Sequence, residues 1–176
     1  MKNLFLLFTL LISCQAVSIG QTTNEYFDSG TKNSNLNEYN SAIEDFTKVI
    51  EQNPNDSEAY YSRGYAKFNL KDYRGALQDF DITLKLNPSH LAAYFDRGNA
   101  KIELKDYRGA IQDFTTALKL ALEPKNAGAY PISLVYFNRG FAKHKLGDID
   151  GACLDLKKAA ELGERVAYEV ISKNCK

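Results

Sequence analysis

A repeat of 34 residues constrains this chain of 176 residues more than any other feature. The segments that begin at Tyr60, Tyr94 and Tyr136 share one pattern: two aromatic residues, a variable residue and then Arg-Gly-x-Ala-Lys. An earlier and weaker copy begins at Tyr26, 34 residues before Tyr60. A fixed period of this length is typical of stacked supersecondary units, each of which covers its apolar face with its neighbours. The sequence therefore predicts an array of four units.

The residue types within each unit predict a pair of helices. Gly64 and Ala76 are small residues on two successive segments, which allows two helices to approach each other closely. The apolar residues of the second segment keep helical spacing, at Ala76, Leu77, Phe80 and Leu84. Pro54 and Pro88 then end the second helix of their units, because proline cannot continue a helix. Since no segment sustains the two-residue alternation of a strand, we predict an all-α fold.

The recurrent letters are an aromatic residue at position 4 of the unit, Gly at 8, Ala at 20, an aromatic residue at 24 and Pro at 32. This pattern holds its phase over residues 23–166 and resembles the tetratricopeptide repeat, a helix-turn-helix unit. The resemblance implies a right-handed superhelical α-solenoid in a domain at 21–176. We expect its units at 23–56, 57–90, 91–124 and 133–166, an insertion loop at 123–132 and a capping helix at 164–174. The loop is either a tolerated surface insertion or a segment that reaches over a ligand groove.

The first 20 residues are predicted to be a signal peptide. Lys2 precedes an uncharged apolar run at 4–12, which is too short to span a bilayer but has the length of a signal-peptide core. We therefore expect an exported protein, periplasmic, associated with the outer membrane, or secreted. Lipidation at Cys14, which ends a lipobox-like segment, and ordinary cleavage before Gln21 both fit. A buried first helix of a cytoplasmic protein is a third interpretation, which the lack of a polar face opposes.

The two cysteines nearest the carboxyl end, Cys153 and Cys175, lie ten residues before and twelve residues after Gly163. A helical hairpin that turns near Gly163 brings them to about the same level, so an exported protein could join them in a disulfide. Alternatively, Cys153 is a small buried residue and Cys175 a free thiol.

Charged residues also recur in phase, and we interpret them structurally. An arginine at position 7 and an aspartate at position 23 occur together in the last three units, which favours an ion pair between the two helices of one unit over an anion-binding ladder. These pairs are Arg63 with Asp79, Arg97 with Asp113, and Arg139 with Asp155. The lysines four residues after the arginines, Lys67, Lys101 and Lys143, are predicted to form a solvated edge. The formal net charge of zero argues against nucleic acid as a partner.

The chain carries little that indicates catalysis. Its two histidines, His90 and His144, are far apart in the sequence and belong to different units. The zinc-protease pattern HExxH, the metal or redox pattern CxxC, the hydrolase pattern GxSxG and a phosphate-binding glycine loop are all missing from the sequence. We therefore expect a non-enzymatic protein without a cofactor or a metal site.

The resemblance implies that the first helices of the units line a concave groove, with positions 2, 5, 6, 9, 12 and 13 directed into it. An aromatic groove suits a peptide or partner protein whose apolar side chains dock between rings. The candidate groove residues are Phe27, Tyr61, Tyr65, Phe68, Phe95, Asp96, Asn99, Phe137, Asn138, Phe141 and His144. The competing interpretation is that position 5 packs between adjacent units, which would occupy Phe27, Tyr61, Phe95 and Phe137. Because position 5 carries no lysine, the carboxylate clamp of the chaperone-tail-binding subclass is not expected.

These patterns predict a protein-interaction module or scaffold that works outside the cytoplasm. The alternative is a structural or assembly component of the cell envelope, attached to the membrane through a lipid on Cys14 and acting by self-association or by supporting a larger complex.

Overall fold

The computed structural model describes residues 22–123 and 131–175, and over those residues it contains nine α-helices and no strand. The helices are α1 (22–35), α2 (Tyr39–Gln52), α3 (Ser57–Asn69), α4 (Tyr73–Leu86), α5 (Leu91–Glu103), α6 (Tyr107–Ala121), α7 (Ile132–Lys145), α8 (Ile149–Glu161) and α9 (Arg165–Asn174). The predicted signal peptide with Cys14 and most of the insertion loop lie outside the described residues. None of the described helices is long and apolar enough to cross a membrane.

The helices stack in chain order, which confirms the predicted all-α solenoid. Each helix from α3 to α8 packs against the one before and the one after it, and α3 also contacts α5, as α5 contacts α7. The first helices of the second, third and fourth units therefore lie side by side. The last helix, α9, packs on α8 and occupies the segment predicted to cap the array.

Close contact between the two helices of a unit depends on the recurrent glycine at position 8. The Phe80 ring lies so close to Gly64 that a Cβ on residue 64 would stand 2.9 Å from it. A Cβ on Gly98 would stand only 2.7 Å from the Phe114 ring. In the fourth unit Leu156 takes the place of the phenylalanine. The rings and the small residues beside them are buried in hydrophobic clusters that recur along the array.

The turn inside the unit is built the same way in the second, third and fourth units. The aspartates that precede α4, α6 and α8 cap those helices, each accepting a hydrogen bond from the backbone N–H of a glycine three residues on, at 3.0 Å. A side chain on that glycine would overlap the capping carboxylate. One turn residue has a positive φ in every unit, at Asn37, Lys71, Lys105 and Gly147.

The predicted ion pairs between the two helices of a unit are confirmed. Arg97 donates two hydrogen bonds to the carboxylate of Asp113, from Nε at 2.9 Å and from Nη2 at 2.5 Å, and the second and fourth units repeat this pair. The prediction of a solvated lysine edge is wrong. Lys101 lies 2.7 Å from the same carboxylate, because four residues are about one helical turn and place both cations over Asp113. Lys67 and Lys143 bind Asp79 and Asp155 in the same way.

The carboxyl-terminal helix is joined to the fourth unit by a disulfide. Cys153 on α8 and Cys175 just after α9 are bonded, with their Cα atoms 5.7 Å apart. The helical hairpin turns at Gly163, which has a φ of 97°. Ala167 is buried in the same contact, against Leu156 and Ala159.

Candidate functional site

The first helices of three consecutive units enclose an open cleft of about 300 Å³, here called the aromatic hollow. Its walls come from α3, α5 and α7, which lie side by side. Residues one helical turn apart, such as Phe137 and Phe141, lie on the same face of their helix and so line the cleft together. The lining residues are Phe68, Asn99, Ile102, Glu103, Phe137, Asn138 and Phe141. The hollow thus combines an apolar floor with two amides and one carboxylate.

A second cleft, of about 210 Å³, lies between the first and second units and is here called the polar hollow. Hydroxyl and amide side chains stand beside aromatic rings in its walls, which consist of Thr31, Ser34, Asn35, Phe46, Tyr61, Ser62 and Tyr65. The two hollows lie on the same series of helices and each has three aromatic rings in its lining, but the side chains with hydroxyl groups belong to the polar hollow.

Two aromatic side chains on this face are exposed to solvent to an unusual degree. Tyr65 is 41% exposed and Phe141 is 39% exposed, whereas Phe80 and Phe114 of the core are fully buried. Moving an aromatic ring out of water lowers the free energy. Rings that are exposed beside a cleft are therefore suited to contact with another molecule.

A hydrogen-bonded chain connects the two hollows through the buried carboxylate of Asp96. The Tyr61 hydroxyl donates to Asp96 at 2.9 Å, and the side chain of Asn99 is a further donor to it. Asn138 of the next unit in turn donates to Asn99 Oδ1 at 2.8 Å. Burial raises the pKa of Asp96 to about 6, in opposition to the hydrogen bonds from Tyr61 and Asn99 and to the nearby His90.

His90 supports this chain from the start of α5. Its Nδ1 accepts the backbone N–H of Ala93 and so caps the helix, and its ring lies 4.6 Å from the ring of Tyr61. Its Nε2 lies 3.2 Å from the carboxylate of Glu58. This capping role was not predicted, because histidine is an uncommon capping residue.

The structure brings five of the predicted groove residues together in the aromatic hollow, Phe68, Asn99, Phe137, Asn138 and Phe141. Tyr61 and Tyr65 line the polar hollow. Three others are engaged elsewhere: Phe27 packs edge-on against Phe46, Phe95 is buried against Phe114, and Asp96 is buried. His144, half-buried on α7, lines neither hollow. A role in partner binding stays a prediction for all of them.

Seven lining residues are absent from the candidate groove residues: Thr31, Ser34, Asn35, Phe46, Ser62, Ile102 and Glu103. All of them except Phe46 occupy position 6, 9, 12 or 13 of their units, which the family pattern directs into the groove. The positions in the repeat could therefore have identified these residues. The prediction did not include them because it favoured aromatic side chains.

Comparison with known structures gives several matches to the fold. The crystal structure of MamA is 23% identical, with 83% of this chain and 81% of MamA covered and a TM-score of 0.72. MamA 41-end from Desulfovibrio magneticus RS-1 is 21% identical, with coverages of 88% and 94% and a TM-score of 0.74. The first TPR of Spaghetti (RPAP3), bound to the HSP90 peptide SRMEEVD, is 26% identical, with coverages of 72% and 94% and a TM-score of 0.64.

The sequence itself was also compared with curated proteins and with protein families. No curated protein matches it. Two family models described as tetratricopeptide repeat do match, one at residues 46–78 and the other at residues 26–56, 91–124 and 134–162. These segments cover more than half of the chain and coincide with the stacked helix pairs, so the chain belongs to the tetratricopeptide repeat family.

Proposed function

We propose that this chain is a protein-interaction module that binds an apolar segment of a peptide or partner protein in the aromatic hollow. The observation that carries the proposal is the exposed ring of Phe141 at an open cleft floored by Phe68, Ile102 and Phe137. Burial of apolar side chains against these rings provides the free energy of binding, at about 25 cal/mol for each Å² removed from water. The Asn138 amide offers hydrogen bonds to a peptide backbone.

The matched structures include complexes of the same fold with peptide partners. The first TPR of Spaghetti is bound to an HSP90 peptide, and the TPR2B domain of yeast Sti1 is in complex with pHsp70. Those proteins therefore engage peptide partners with the same architecture. The partner of this chain is a separate question, because one fold serves many partners.

We place the module outside the cytoplasm. The apolar run near the amino terminus has the features of a signal peptide, and the disulfide between Cys153 and Cys175 is of a kind that persists in oxidising compartments. Intact mass of the protein purified from its native host tests this location and the choice of processing. A mature chain that begins at Gln21 or at a lipidated Cys14 supports export, and a full-length chain contradicts it.

The alternative function, assembly by self-association, draws on a different surface. Leu162, Val166 and Tyr168 are exposed around the capping helix α9, where a terminal cap would ordinarily be polar. Sedimentation of the parent and of a Val166→Lys variant tests it. A parent oligomer that the substitution dissociates favours assembly, and a monomeric parent contradicts it.

Selection from a library of random peptides tests the proposed function. We expect the immobilised parent to enrich peptides with a bulky apolar residue, and the double variant Phe68→Ala with Phe141→Ala to lose them at an unchanged helical content. Leu154→Ala is the matched control, because Leu154 is an exposed apolar residue on a second helix, α8. Enriched peptides that bind the double variant as well as they bind the parent would contradict the proposal, as would the absence of any enrichment.

A further inference from the structure

We propose that the aromatic hollow selects an apolar side chain flanked by lysine or arginine and rejects an acidic segment. This inference rests on the proposed function and names the chemistry of the partner. It depends on which polar atoms the hollow presents, and on the charge beside its apolar floor.

The first step concerns the orientation of the two amides. Asp96 can only accept hydrogen bonds when ionised, so the Asn99 amide turns its nitrogen toward that carboxylate and its Oδ1 toward Asn138. Asn138 must then donate from Nδ2, at 2.8 Å, which fixes its Oδ1 as a remaining acceptor. The buried carboxylate thereby sets the polarity of a residue two links away.

The second step concerns Glu103, the carboxylate in the lining of the hollow. Glu103 is exposed and accepts a hydrogen bond from the side chain of Tyr73, which leaves further lone pairs for other donors. Carboxylate and amide oxygens complement the N–H groups of lysine, arginine and the peptide backbone. They repel the carboxylates of an acidic peptide, which bring only acceptors.

A cation also lies against one of the residues that line the hollow. The ammonium group of Lys145 lies 5.2 Å from the centre of the Phe141 ring, and His144 is half-buried on the same helix. Lys145 therefore opposes the proposed preference at one end of the hollow. Glu103 contributes to the lining directly, whereas Lys145 approaches it only through the Phe141 ring.

The absence of tryptophan from the chain provides a clean binding assay. Two blocked peptides would be compared, identical except that a central Trp is flanked on both sides by Lys in one and by Glu in the other. Their fluorescence, excited at wavelengths beyond the absorption band of tyrosine, reports transfer of the Trp into the hollow without tryptophan emission from the protein. We expect the Lys peptide to bind roughly tenfold more tightly than the Glu peptide at low salt, and the difference to shrink as salt screens the charges.

The variant Glu103→Gln should abolish most of this difference while binding of the Glu peptide improves. Gln keeps the hydrogen bond from Tyr73, and Glu44→Gln, an exposed position on α2, is the matched control that should change neither affinity. Equal binding of both peptides by the parent, or an unchanged difference in Glu103→Gln, would overturn the charge selectivity and leave the proposed function standing. Binding of neither peptide would overturn both. The peptide SRMEEVD, seen in the Spaghetti structure, should bind no better than the Glu peptide.

Discussion

The first unit and the three that follow share one backbone arrangement but stabilise it with different polar groups. In the first unit the Asp45 carboxylate accepts hydrogen bonds from Ser29 at 2.7 Å and from Asn33 at 3.0 Å. At the corresponding positions of the second unit, Asp79 binds the cations of Arg63 and Lys67. Neutral donors are therefore sufficient to join the two helices of one unit, and the ion cluster must contribute something more.

The additional contribution is a contact with the preceding unit. In the third unit the Nη1 group of Arg97 donates to Asp81 of α4 at 2.7 Å, while its other nitrogens bind Asp113. The second and fourth units repeat the contact with a threonine hydroxyl, Thr47 or Thr115. The first unit has Ser29 at this position, and its hydroxyl donates to Asp45 of its own unit. The comparison indicates that these arginines link units as well as helices.

The largest expected effect comes from removing the charge at the centre of one cluster. Asp113→Asn leaves Arg97 and Lys101 without their shared counter-ion in a buried setting, and we expect the free energy of unfolding to fall by about 3–5 kcal/mol. Urea denaturation followed by circular dichroism measures the change.

The matched control for that experiment is Asp45→Asn in the first unit. The amide can still accept from Ser29 and Asn33, so the loss should be about 1 kcal/mol. Equal losses in the two variants would show that the cations add nothing beyond ordinary hydrogen bonds. That result would contradict the proposed difference between the first unit and the others.

The disulfide at the carboxyl end of the array allows a second test of how the units differ. The fourth unit is followed by α9, which buries Ala167 completely. The disulfide joins Cys153 to Cys175, which are 22 residues apart in the sequence. We expect the double variant Cys153→Ala with Cys175→Ala to lose about 3 kcal/mol, mainly because the unfolded chain is less constrained. Hydrogen exchange should locate the loss in α9. Unchanged protection of α9 in the double variant would contradict this account.

Much of this fold could be predicted from the letters of the repeat. Gly64, Phe80 and Pro88 recur in phase, and their size and backbone preferences specify a helix pair and its end. The ion pair of Arg63 with Asp79 was predicted correctly because an arginine at position 7 and an aspartate at position 23 occur together in the same three units.

The arrangement of the polar groups was less predictable, because it depends on distances across units. Lys67 was interpreted as solvated since the sequence does not show that its stem reaches over Asp79. The contact of Arg97 with Asp81 joins residues 16 apart on different units, and Asp96 is buried where the third unit meets Tyr61 of the second. Neither property belongs to any single repeat.

The same position of the repeat can hold an exposed or a buried carboxylate, which allows a third test. Asp96 is buried with a pKa of about 6, above the ordinary 3.8, so the stability that this group contributes is greatest at low pH and is lost as the pH rises through about 6. Asp96→Asn should therefore gain about 2 kcal/mol relative to the parent between about pH 4 and pH 7. Urea denaturation of both proteins across this range measures the gain.

The corresponding residue of the first unit provides the control for the pH experiment. Asp28 is exposed, so Asp28→Asn should show no comparable gain over the same range. A gain for Asp96→Asn that is independent of pH would instead indicate a change in packing, and would contradict the assignment to ionisation.

The smallest expected effect concerns the turn residue with a positive φ. This residue is Asn37 in the first unit, Lys105 in the third and Gly147 in the fourth, with φ values of 62°, 63° and 83°. Residues other than Gly and Asn are disfavoured at a positive φ. Lys105→Gly should therefore raise the free energy of unfolding by about 0.5–1 kcal/mol, a figure that already allows for the greater flexibility of glycine in the unfolded chain. The reverse change, Gly147→Lys, should lower it by a similar amount, because a Cβ there would meet no atom within 4 Å and only the backbone preference changes. If both variants lost stability, the turn would depend on the lysine side chain itself, and the units would differ in more than backbone preference at this position.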